Sequence, residues 1–233
     1  MIDPGIDLEY WRAELARRTR VQVAGWLQPA LAAELQRCLA HDVPWGLAHR
    51  TAEGSVTTRP EALAALDAAG RAALLADAQA LAARDYAFAY DAYHMVSAYK
   101  EGRDPGLLLH RVLEFMNSPD YLGFARALTG EPRIRRASAQ ATRYRPGQFL
   151  KYHTDIDSLE GRLYAYVVNL SARWEADWGG LLQFIDESGA VVDTFVPRFN
   201  SLSLFKVPQG HAVSMVAPWA GEPRLAITGW FMA

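Results

Sequence analysis

The chain has 233 residues and a formal net charge of −2, and 51% of its residues are hydrophobic while 21% are charged. This composition is typical of a globular protein with a substantial core, and the length suits one domain over 1–233 better than two. The near-neutral charge excludes a global electrostatic attraction to nucleic acid or to an anionic membrane, so we expect neither as a partner. The single cysteine, Cys38, excludes an internal disulfide framework and a thiolate zinc site.

The first residues, MIDPGIDLEYW, are acidic and interrupted by Pro4 and Gly5, which is unlike a secretory signal. No apolar run approaches the ~20 residues that a membrane-spanning helix needs. We therefore expect a cytoplasmic protein.

Alanine, leucine and arginine at helical spacing dominate residues 8–130, which predicts a mostly helical extension over 1–130. A first helix is predicted to begin near Pro29, where leucines recur every four residues, and Cys38 is expected to be buried on it. The alanine-rich stretch 60–85 predicts one long helix. Two more helices are predicted over 105–117 and 118–130, the latter with Ser118 as N-cap and Gly130 at its end.

After Gly130 the sequence changes to short runs rich in valine, threonine, phenylalanine and tyrosine. These runs are 137–147, 149–156, 162–170, 179–189, 191–207, 211–218 and 223–232. Short strands at this spacing favour a sandwich or barrel over a βαβ sheet. The sequence therefore predicts an α+β fold with a mainly β core, a jelly roll over 131–233 covered by an N-terminal helical layer.

Two polar residues, His153 and Asp155, stand two apart at the end of the run 149–156. In a strand, residues i and i+2 face the same side, so both could point to one spot inside a barrel. The pair alone is equally compatible with the surface of a strand end. His211 supplies a possible third ligand, and two histidines with one carboxylate are typical of a non-haem Fe(II) site with open coordination positions.

Arg224 is the fourth element of the pattern, at the head of the apolar strand 225–232. A guanidinium can bind a carboxylate through two parallel hydrogen bonds and stays charged when buried. Its alternative is an ordinary salt bridge at the edge of the sheet. The order His153, Asp155, His211, Arg224 is more specific than any of its parts.

The stretch 143–233 resembles the prolyl 4-hydroxylase-like branch of the Fe(II)/2-oxoglutarate-dependent oxygenases, which have a double-stranded β-helix (jelly-roll) core. The matching features, in chain order, are Tyr144, Pro146-Gly147, His153, Asp155, Gly179-Gly180, Pro197 to Asn200, His211, Arg224 and Trp230. The N-terminal part is similar to the helical extension of microbial proline-hydroxylase-type members.

The resemblance implies that His153, Asp155 and His211 bind iron and that Arg224 holds the distal carboxylate of 2-oxoglutarate, with Tyr144 sharing that contact. It also implies further co-substrate contacts, which are Asn169, Leu182, Thr228 and Trp230. The aromatic members of this set could instead be ordinary core residues. The remaining histidines of the N-terminal part, namely His41, His49, His94 and His110, lack a partner at ligand spacing.

The activity implied by the resemblance is a dioxygenase that uses O2 and 2-oxoglutarate to hydroxylate an unactivated C–H bond and releases succinate and CO2, with ascorbate as a candidate reductant. A prolyl residue of a protein or peptide is the favoured substrate, and a free amino acid or other small molecule is the alternative. Two rival hypotheses are a metal-free jelly-roll binding module and a cupin-type metalloenzyme that uses no 2-oxoglutarate.

Three loops could receive a substrate chain, at 46–60, 156–162 and 171–178. In the last of them Arg173, Trp174 and Trp178 suggest a recognition surface, although a capped loop with a buried tryptophan is an equal alternative. Asp157 is expected to face solvent where the metal-binding strand ends.

Overall fold

The computed structural model describes residues 1–156 and 161–233, and within them it contains seven α-helices and a twelve-stranded sheet. The helices are α1 (Leu8–Arg18), α2 (Pro29–His41), α3 (Pro60–Ala65), α4 (Ala68–Ala82), α5 (Met95–Lys100), α6 (Leu108–Met116) and α7 (Pro119–Thr129). The strands are β1 (Arg20–Ala24), β2 (Gly46–Thr51), β3 (Gly54–Thr58), β4 (Phe88–Tyr93), β5 (Arg136–Tyr144), β6 (Phe149–His153), β7 (Arg162–Asn169), β8 (Leu182–Ile185), β9 (Val191–Phe195), β10 (Ser201–Lys206), β11 (His211–Val213) and β12 (Arg224–Met232).

The strands form a nearly closed antiparallel barrel, in the order β1-β10-β7-β12-β5-β4-β6-β11-β8-β9. The hairpin β2–β3 joins this path through β4. The long strand β12 lies between β5 and β7, and its first residue, Arg224, is paired with Tyr144, the last residue of β5. The predicted mainly β jelly-roll core with a helical layer is confirmed.

Two apolar cores share the strand β12, because successive side chains of a strand point to opposite faces. Leu225, Ile227 and Phe231 pack in the large core between the sheet and the helices. Ala226 and Trp230 face the barrel interior, where they belong to a second, smaller core. Arg224 has the same parity as Ala226, so the strand directs it into the barrel.

Two of the predicted helices form as expected. In α2, Pro29 is at the helix start, and Leu35, Leu39 and Cys38 are buried. In α7, the Ser118 hydroxyl accepts a hydrogen bond from the Tyr121 backbone N–H at 3.2 Å, and Gly130 ends the helix with a φ of +67°. Both ends of α7 are therefore set by local capping chemistry that the sequence displays.

The prediction of a single long helix over 60–85 is wrong, because the helix is interrupted between α3 and α4, at Leu66 and Asp67. Leu66 is extended, and the Asp67 carboxylate accepts a hydrogen bond from the Gly70 backbone N–H at 2.7 Å. An N-cap within an alanine-rich stretch starts a new helix there. The helix expected from residue 105 begins at Leu108 instead.

The N-terminal region also contributes four strands, which the prediction of a mostly helical extension missed. β1 pairs with β10, and β4 pairs with both β5 and β6, so this region completes the barrel. The predicted loop 46–60 is largely the hairpin β2–β3. Strand pairing here overrides the helical propensity of the alanines. No helix in the described part of the chain is long and apolar enough to cross a membrane.

Candidate active site

The barrel encloses a cavity of about 400 Å3 that is lined by side chains of β4, β5, β6, β7, β8, β10, β11 and β12. His153, Asp155 and His211 lie in one part of its wall, and Arg224 and Tyr144 lie in another. The structure thus brings the predicted iron ligands and the predicted carboxylate-binding arginine to one cavity.

The three candidate metal ligands converge because β6 and β11 are neighbours. His211 is paired directly with His153 across these strands, and their ring centroids are 4.1 Å apart. Nε2 of His153 lies 3.3 Å from Oδ1 of Asp155, and Nε2 of His211 lies 3.4 Å from Oδ2. Among residues 1–156 and 161–233 this is the only group of three such side chains whose ligand atoms, within 4.8 Å of one another, could hold a metal ion.

Asp155 reaches this position by a turn and not by strand parity. β6 ends at His153, and the backbone of Asp155 is left-handed, with a φ of +60°. Aspartate tolerates this conformation better than most residues. The side chains of His153 and Asp155 do lie close together, as expected, but the expected reason, a strand that continues through both residues, is wrong.

The imidazoles of both histidines are oriented by their own strands. Nδ1 of His153 lies 3.0 Å from the Lys151 carbonyl oxygen, and Nδ1 of His211 lies 2.9 Å from the Gln209 carbonyl oxygen. A carbonyl only accepts, so Nδ1 of each ring carries a proton, and Nε2 is the atom that presents a lone pair when the ring is neutral. Such backbone contacts typically orient metal-binding histidines.

The titratable groups at this end of the cavity favour an ionised Asp155, and a terminal nitrogen of Arg162 lies 3.8 Å from Oδ1 of this carboxylate. Burial lowers the pKa of His211 to about 4, with the neighbouring His153 acting in the same direction and Asp155 opposing it. Burial alone would raise the pKa of Asp155, but its contacts with His153 and His211 outweigh this, and the pKa lies below its usual value. When the imidazoles are neutral, their two Nε2 lone pairs face an ionised carboxylate, an arrangement that a divalent cation would complete.

Arg224 is 2% exposed, yet no carboxylate in the described part of the chain pairs with it. Its Nε atom is buried without a hydrogen-bond partner among these residues. Burial lowers the pKa of Arg224, whereas a nearby anion would raise it. A buried, unpaired guanidinium is costly unless a ligand anion satisfies it.

Tyr144 lies beside Arg224, with the guanidinium carbon 5.1 Å from the centre of its ring. Its other side stacks on Tyr90, with ring centroids 5.0 Å apart. Burial raises the pKa of Tyr144 well above its usual value, so the phenol keeps its proton. No described residue accepts a hydrogen bond from this hydroxyl, and it can donate to the same anion as Arg224.

The other predicted co-substrate contacts divide into two groups. Leu182, Thr228 and Trp230 line the cavity. Asn169 lies outside the cavity wall formed by the described residues, and its amide nitrogen lies 3.2 Å from the hydroxyls of Ser201 and Ser203. Asn169 lies two residues after Val167 on β7, and Val167 does line the cavity.

Sequence reasoning missed several residues of the cavity wall. Tyr86, Phe88 and Tyr90 come from the N-terminal region and line the cavity, and Tyr86 lies against His153 with ring centroids 6.0 Å apart. The alternation YAFAY over 86–90 was the available signal, because a period of two indicates a strand. Arg162 was also missed, and its guanidinium stacks over Trp230 at 3.8 Å.

The loop 171–178 does not present its tryptophans as a recognition surface. Trp178 is 8% exposed, and the indole N–H of Trp174 donates to the Gly179 carbonyl at 2.9 Å. The two rings pack edge to face, which leaves Arg173 as the exposed member of the predicted set. Asp157 lies outside the described residues.

The histidines of the N-terminal region lie outside the cavity wall formed by the described residues. His49 and His94 contact the hydroxyls of Thr58 and Thr57 at 3.1 and 3.0 Å, and His110 lies 3.3 Å from the Tyr93 hydroxyl. His41 is exposed.

The sequence and the fold both have known relatives. The model of the 2OG-Fe(II) oxygenase superfamily matches residues 139–232. The prolyl 3-hydroxylase OGFOD1 of Mus musculus is 30% identical over 139 residues, which are 57% of this chain and 24% of that protein. The chain thus spans about a quarter of the length of that curated relative.

Two solved structures share the fold over almost the whole chain. A prolyl-4-hydroxylase of Pseudomonas putida is 21% identical, with a TM-score of 0.58 over 97% of this chain and 98% of that one. A prolyl hydroxylase of Trichoplax adhaerens, solved with a hypoxia inducible factor peptide fragment, is 16% identical, with a TM-score of 0.65 over 97% of this chain and 88% of that one. Residues 139–232, which include the barrel strands β6 to β12, are thus similar to the 2OG-Fe(II) oxygenase superfamily, and the chain shares its fold with the two prolyl hydroxylases.

Proposed function

We propose that the protein is a Fe(II)- and 2-oxoglutarate-dependent dioxygenase that hydroxylates a prolyl residue of a protein or peptide. The observation that carries the proposal is the pairing, in one cavity, of a three-ligand cation site with a buried arginine that has no anionic partner among the described residues. A ligand with a metal-chelating end and a distal carboxylate would satisfy both.

His153, Asp155 and His211 would hold the metal through Nε2, a carboxylate oxygen and Nε2 respectively. Two neutral imidazoles and one carboxylate are the donor set of non-haem Fe(II) oxygenases, and they leave coordination positions open for other ligands. The carbonyls of Lys151 and Gln209 would keep both Nε2 atoms aimed at the metal.

Arg224 would bind the distal carboxylate of 2-oxoglutarate through its planar guanidinium, and the Tyr144 hydroxyl would donate a further hydrogen bond. A charge-assisted pair in a buried site is strong and directional, so it fixes the far end of the co-substrate. Thr228 and Trp230 lie on the same face of β12 as Arg224 and, with Leu182, line the cavity. Trp230 lies towards the metal end, because the Arg162 guanidinium that stacks on its ring is also 3.8 Å from Oδ1 of Asp155.

When bound, Fe(II) with 2-oxoglutarate and O2 supplies the oxidant that inserts one oxygen atom into a C–H bond, while the second oxygen atom leaves in succinate and CO2 is released. The chain's own part is to orient both substrates and to exclude water. Tyr86, Phe88, Tyr90 and Trp230 provide aromatic walls for this purpose.

The cavity supports a substrate that is presented from outside. The side chain of His153 is 19% exposed, that of His211 only 6%, and Arg224 is 2% exposed, so solvent access lies at the metal end. Ile156, at the rim, is 69% exposed. A residue on a peptide could enter there while the rest of the chain stays outside, and the relatives named above are prolyl hydroxylases.

The test is hydroxylation of a complex peptide mixture. A digest of cell proteins, freed of small molecules, would be incubated with the protein, Fe(II) and 2-oxoglutarate, with His153→Ala as the matched control. Succinate would be measured, and peptides would be searched by mass spectrometry for one added oxygen atom. We expect oxygen on prolyl residues only with the unaltered protein.

Three other outcomes would change the proposal. Succinate formation that responds to free proline but not to peptides would contradict the peptide substrate and favour a small-molecule hydroxylase. Oxygen on a different residue type would contradict the prolyl substrate alone. Failure of the Fe(II)-loaded protein to bind 2-oxoglutarate in an anaerobic titration, seen as a missing visible charge-transfer band, would contradict the dioxygenase itself.

A further inference from the structure

Asp91 is a buried carboxylate on β4 that lies outside the cavity wall formed by the described residues and is 1% exposed. It accepts a hydrogen bond from Nε of Arg143 at 2.7 Å and one from Nε2 of Gln148 at 2.9 Å. Arg145 contacts it twice, with Nε at 2.9 Å from one oxygen and a terminal nitrogen at 3.1 Å from the other. One carboxylate thus binds three side chains of the segment 143–148.

These three side chains surround Tyr144 in the sequence. Arg143 and Arg145 are its immediate neighbours, and because side chains alternate along an extended chain, both point towards Asp91 while Tyr144 points into the cavity. Gln148 closes the following turn, since its side-chain oxygen accepts from the Arg145 N–H at 2.7 Å and its own N–H donates to the Arg145 carbonyl at 2.9 Å. The backbone on both sides of Tyr144 is therefore tied to Asp91.

Residues on both faces of β4 influence the position of Tyr144. Asp91 is paired with Arg143 in the register of β4 and β5, and the preceding residue, Tyr90, stacks on the ring of Tyr144 inside the cavity. The Tyr144 ring lies between Tyr90 and the guanidinium of Arg224. A displacement of the 143–148 backbone would move the phenol relative to the arginine that shares its ligand.

We propose that Asp91 is a positioning residue for the co-substrate carboxylate: through Arg143, Arg145 and Gln148 it fixes Tyr144 against Arg224. This inference rests on the proposed function, because it assigns Asp91 to the 2-oxoglutarate site. Asp91 would touch neither metal nor co-substrate, and its effect would be on the affinity for 2-oxoglutarate and not on the affinity for metal. Misplacement of a binding group by about 1 Å is enough to weaken its contribution strongly.

The main variant is Asp91→Asn, which keeps the shape of the side chain but removes its charge. The matched control is Tyr93→Phe, two residues along the same strand and on the same face. The Tyr93 side chain is also buried, at 3% exposure, and its hydroxyl donates to Asp104 at 2.9 Å, away from the cavity wall that the described residues form. Both variants remove a buried polar interaction from β4, but only the first one is linked to Tyr144.

The measurements are two dissociation constants on the full chain, well below its melting temperature. Mn(II), a redox-inert substitute for Fe(II), would be titrated first, and 2-oxoglutarate would then be titrated into the Mn(II)-loaded protein. We expect Asp91→Asn to weaken 2-oxoglutarate binding by about tenfold and to change Mn(II) binding by less than about twofold. Tyr93→Phe should lower the melting temperature and leave both constants unchanged.

A double-mutant cycle tests whether Asp91 acts through Tyr144. In a Tyr144→Ala background, Asp91→Asn should have no further effect on 2-oxoglutarate binding, because the group that it positions is absent. Arg145→Ala is a milder second variant, since that side chain is 51% exposed and its loss leaves Asp91 with Arg143 and Gln148. It should weaken 2-oxoglutarate binding in the same direction by a smaller factor, and it keeps the test valid if Asp91→Asn does not fold.

The outcomes separate this inference from the proposed function. If the unaltered Mn(II)-loaded protein fails to bind 2-oxoglutarate, the proposed function is wrong. If it binds, but Arg145→Ala and a folded Asp91→Asn bind equally well, the role of Asp91 is purely structural and the inference is overturned. A loss that persists in the Tyr144→Ala background would overturn the route through Tyr144.

Discussion

The two ends of the cavity are built in opposite ways. At the metal end, Asp155 lies between two histidines, at 3.3 Å from one and 3.4 Å from the other, so the polar groups compensate one another in part. At the far end, Arg224 is more deeply buried and meets an aromatic ring in place of a carboxylate. The metal end therefore offers ligands that can bind a cation, whereas the far end offers a guanidinium that can bind an anion.

This difference assigns separate tasks to the two ends. The metal end lies on the short strands β6 and β11, one side of which is open towards solvent at His153. The far end lies where the long strands β5 and β12 pair, inside the barrel. Changes at the metal end should therefore abolish turnover altogether, whereas changes at the far end should act through the affinity for 2-oxoglutarate.

The largest effect is expected from His153→Ala. Loss of one of three ligands should remove the metal and reduce 2-oxoglutarate-dependent succinate formation by at least about a thousandfold. Because His153 is at a strand end and partly exposed, far-UV circular dichroism should remain that of the unaltered protein.

The control for this variant is His41→Ala, which removes an exposed histidine from the end of α2. It should retain full activity and metal affinity. Full succinate formation by His153→Ala would refute the metal assignment and, with it, the separation of the two ends.

The second-largest effect is expected from substitutions of Arg224. Arg224→Met removes the only positive charge assigned to the distal carboxylate and should weaken 2-oxoglutarate binding by about 100-fold, or about 2.7 kcal/mol, while Mn(II) binding stays within about twofold. Arg224→Lys should recover only part of the loss, because an ammonium lacks the two-pronged geometry. Isothermal titration of metal-loaded protein measures both constants. Equal 2-oxoglutarate affinity in all three proteins would exclude Arg224 from the site and favour a metalloenzyme that needs no such co-substrate.

A smaller effect is expected from Tyr144→Phe, which removes one hydroxyl and keeps the ring between Tyr90 and Arg224. A hydrogen bond to a charged group contributes about 1.5 kcal/mol or more, so 2-oxoglutarate binding should weaken by about tenfold. The same titration provides the measurement. An unchanged affinity would show that the phenol acts only as an apolar wall, which is the alternative that the sequence left open.

The strands of the C-terminal region could be predicted from the sequence because each run is short, β-branched or aromatic, and bounded by glycine, proline or asparagine. The ends of α7 were equally visible, since Ser118 and Gly130 act locally. The strands β1 and β4 were missed because their pairing partners are distant in the sequence, and the two alanines of β4 favour helix in isolation. The interruption of the helix at Asp67 was missed because the helix propensity of the surrounding alanines outweighed the N-cap signal of this one aspartate.

The residues of the candidate site could likewise be predicted only in part. Spacing indicated His153, Asp155, His211 and Arg224, and the structure gathers them in one cavity. Spacing could not indicate that Tyr86 and Tyr90 reach the cavity, because this depends on the pairing of β4 with β5 and β6, although the alternation over 86–90 was compatible with a strand. Nor could it indicate the left-handed backbone of Asp155, since that conformation depends on where β6 ends.

Asn169 provides the last and smallest expected effect. The resemblance to the oxygenases implied that Asn169 contacts the co-substrate, but it is 1% exposed and its amide nitrogen contacts the hydroxyls of Ser201 and Ser203 on the neighbouring strand β10. Asn169→Ala should therefore lower the free energy of unfolding by about 1–3 kcal/mol, because buried hydroxyls lose their partner. Binding of Mn(II) and 2-oxoglutarate should change by less than about twofold, since no charge at either end of the cavity is altered. Chemical denaturation and the same titrations measure both, and a tenfold loss of 2-oxoglutarate affinity without loss of stability would return Asn169 to the co-substrate site.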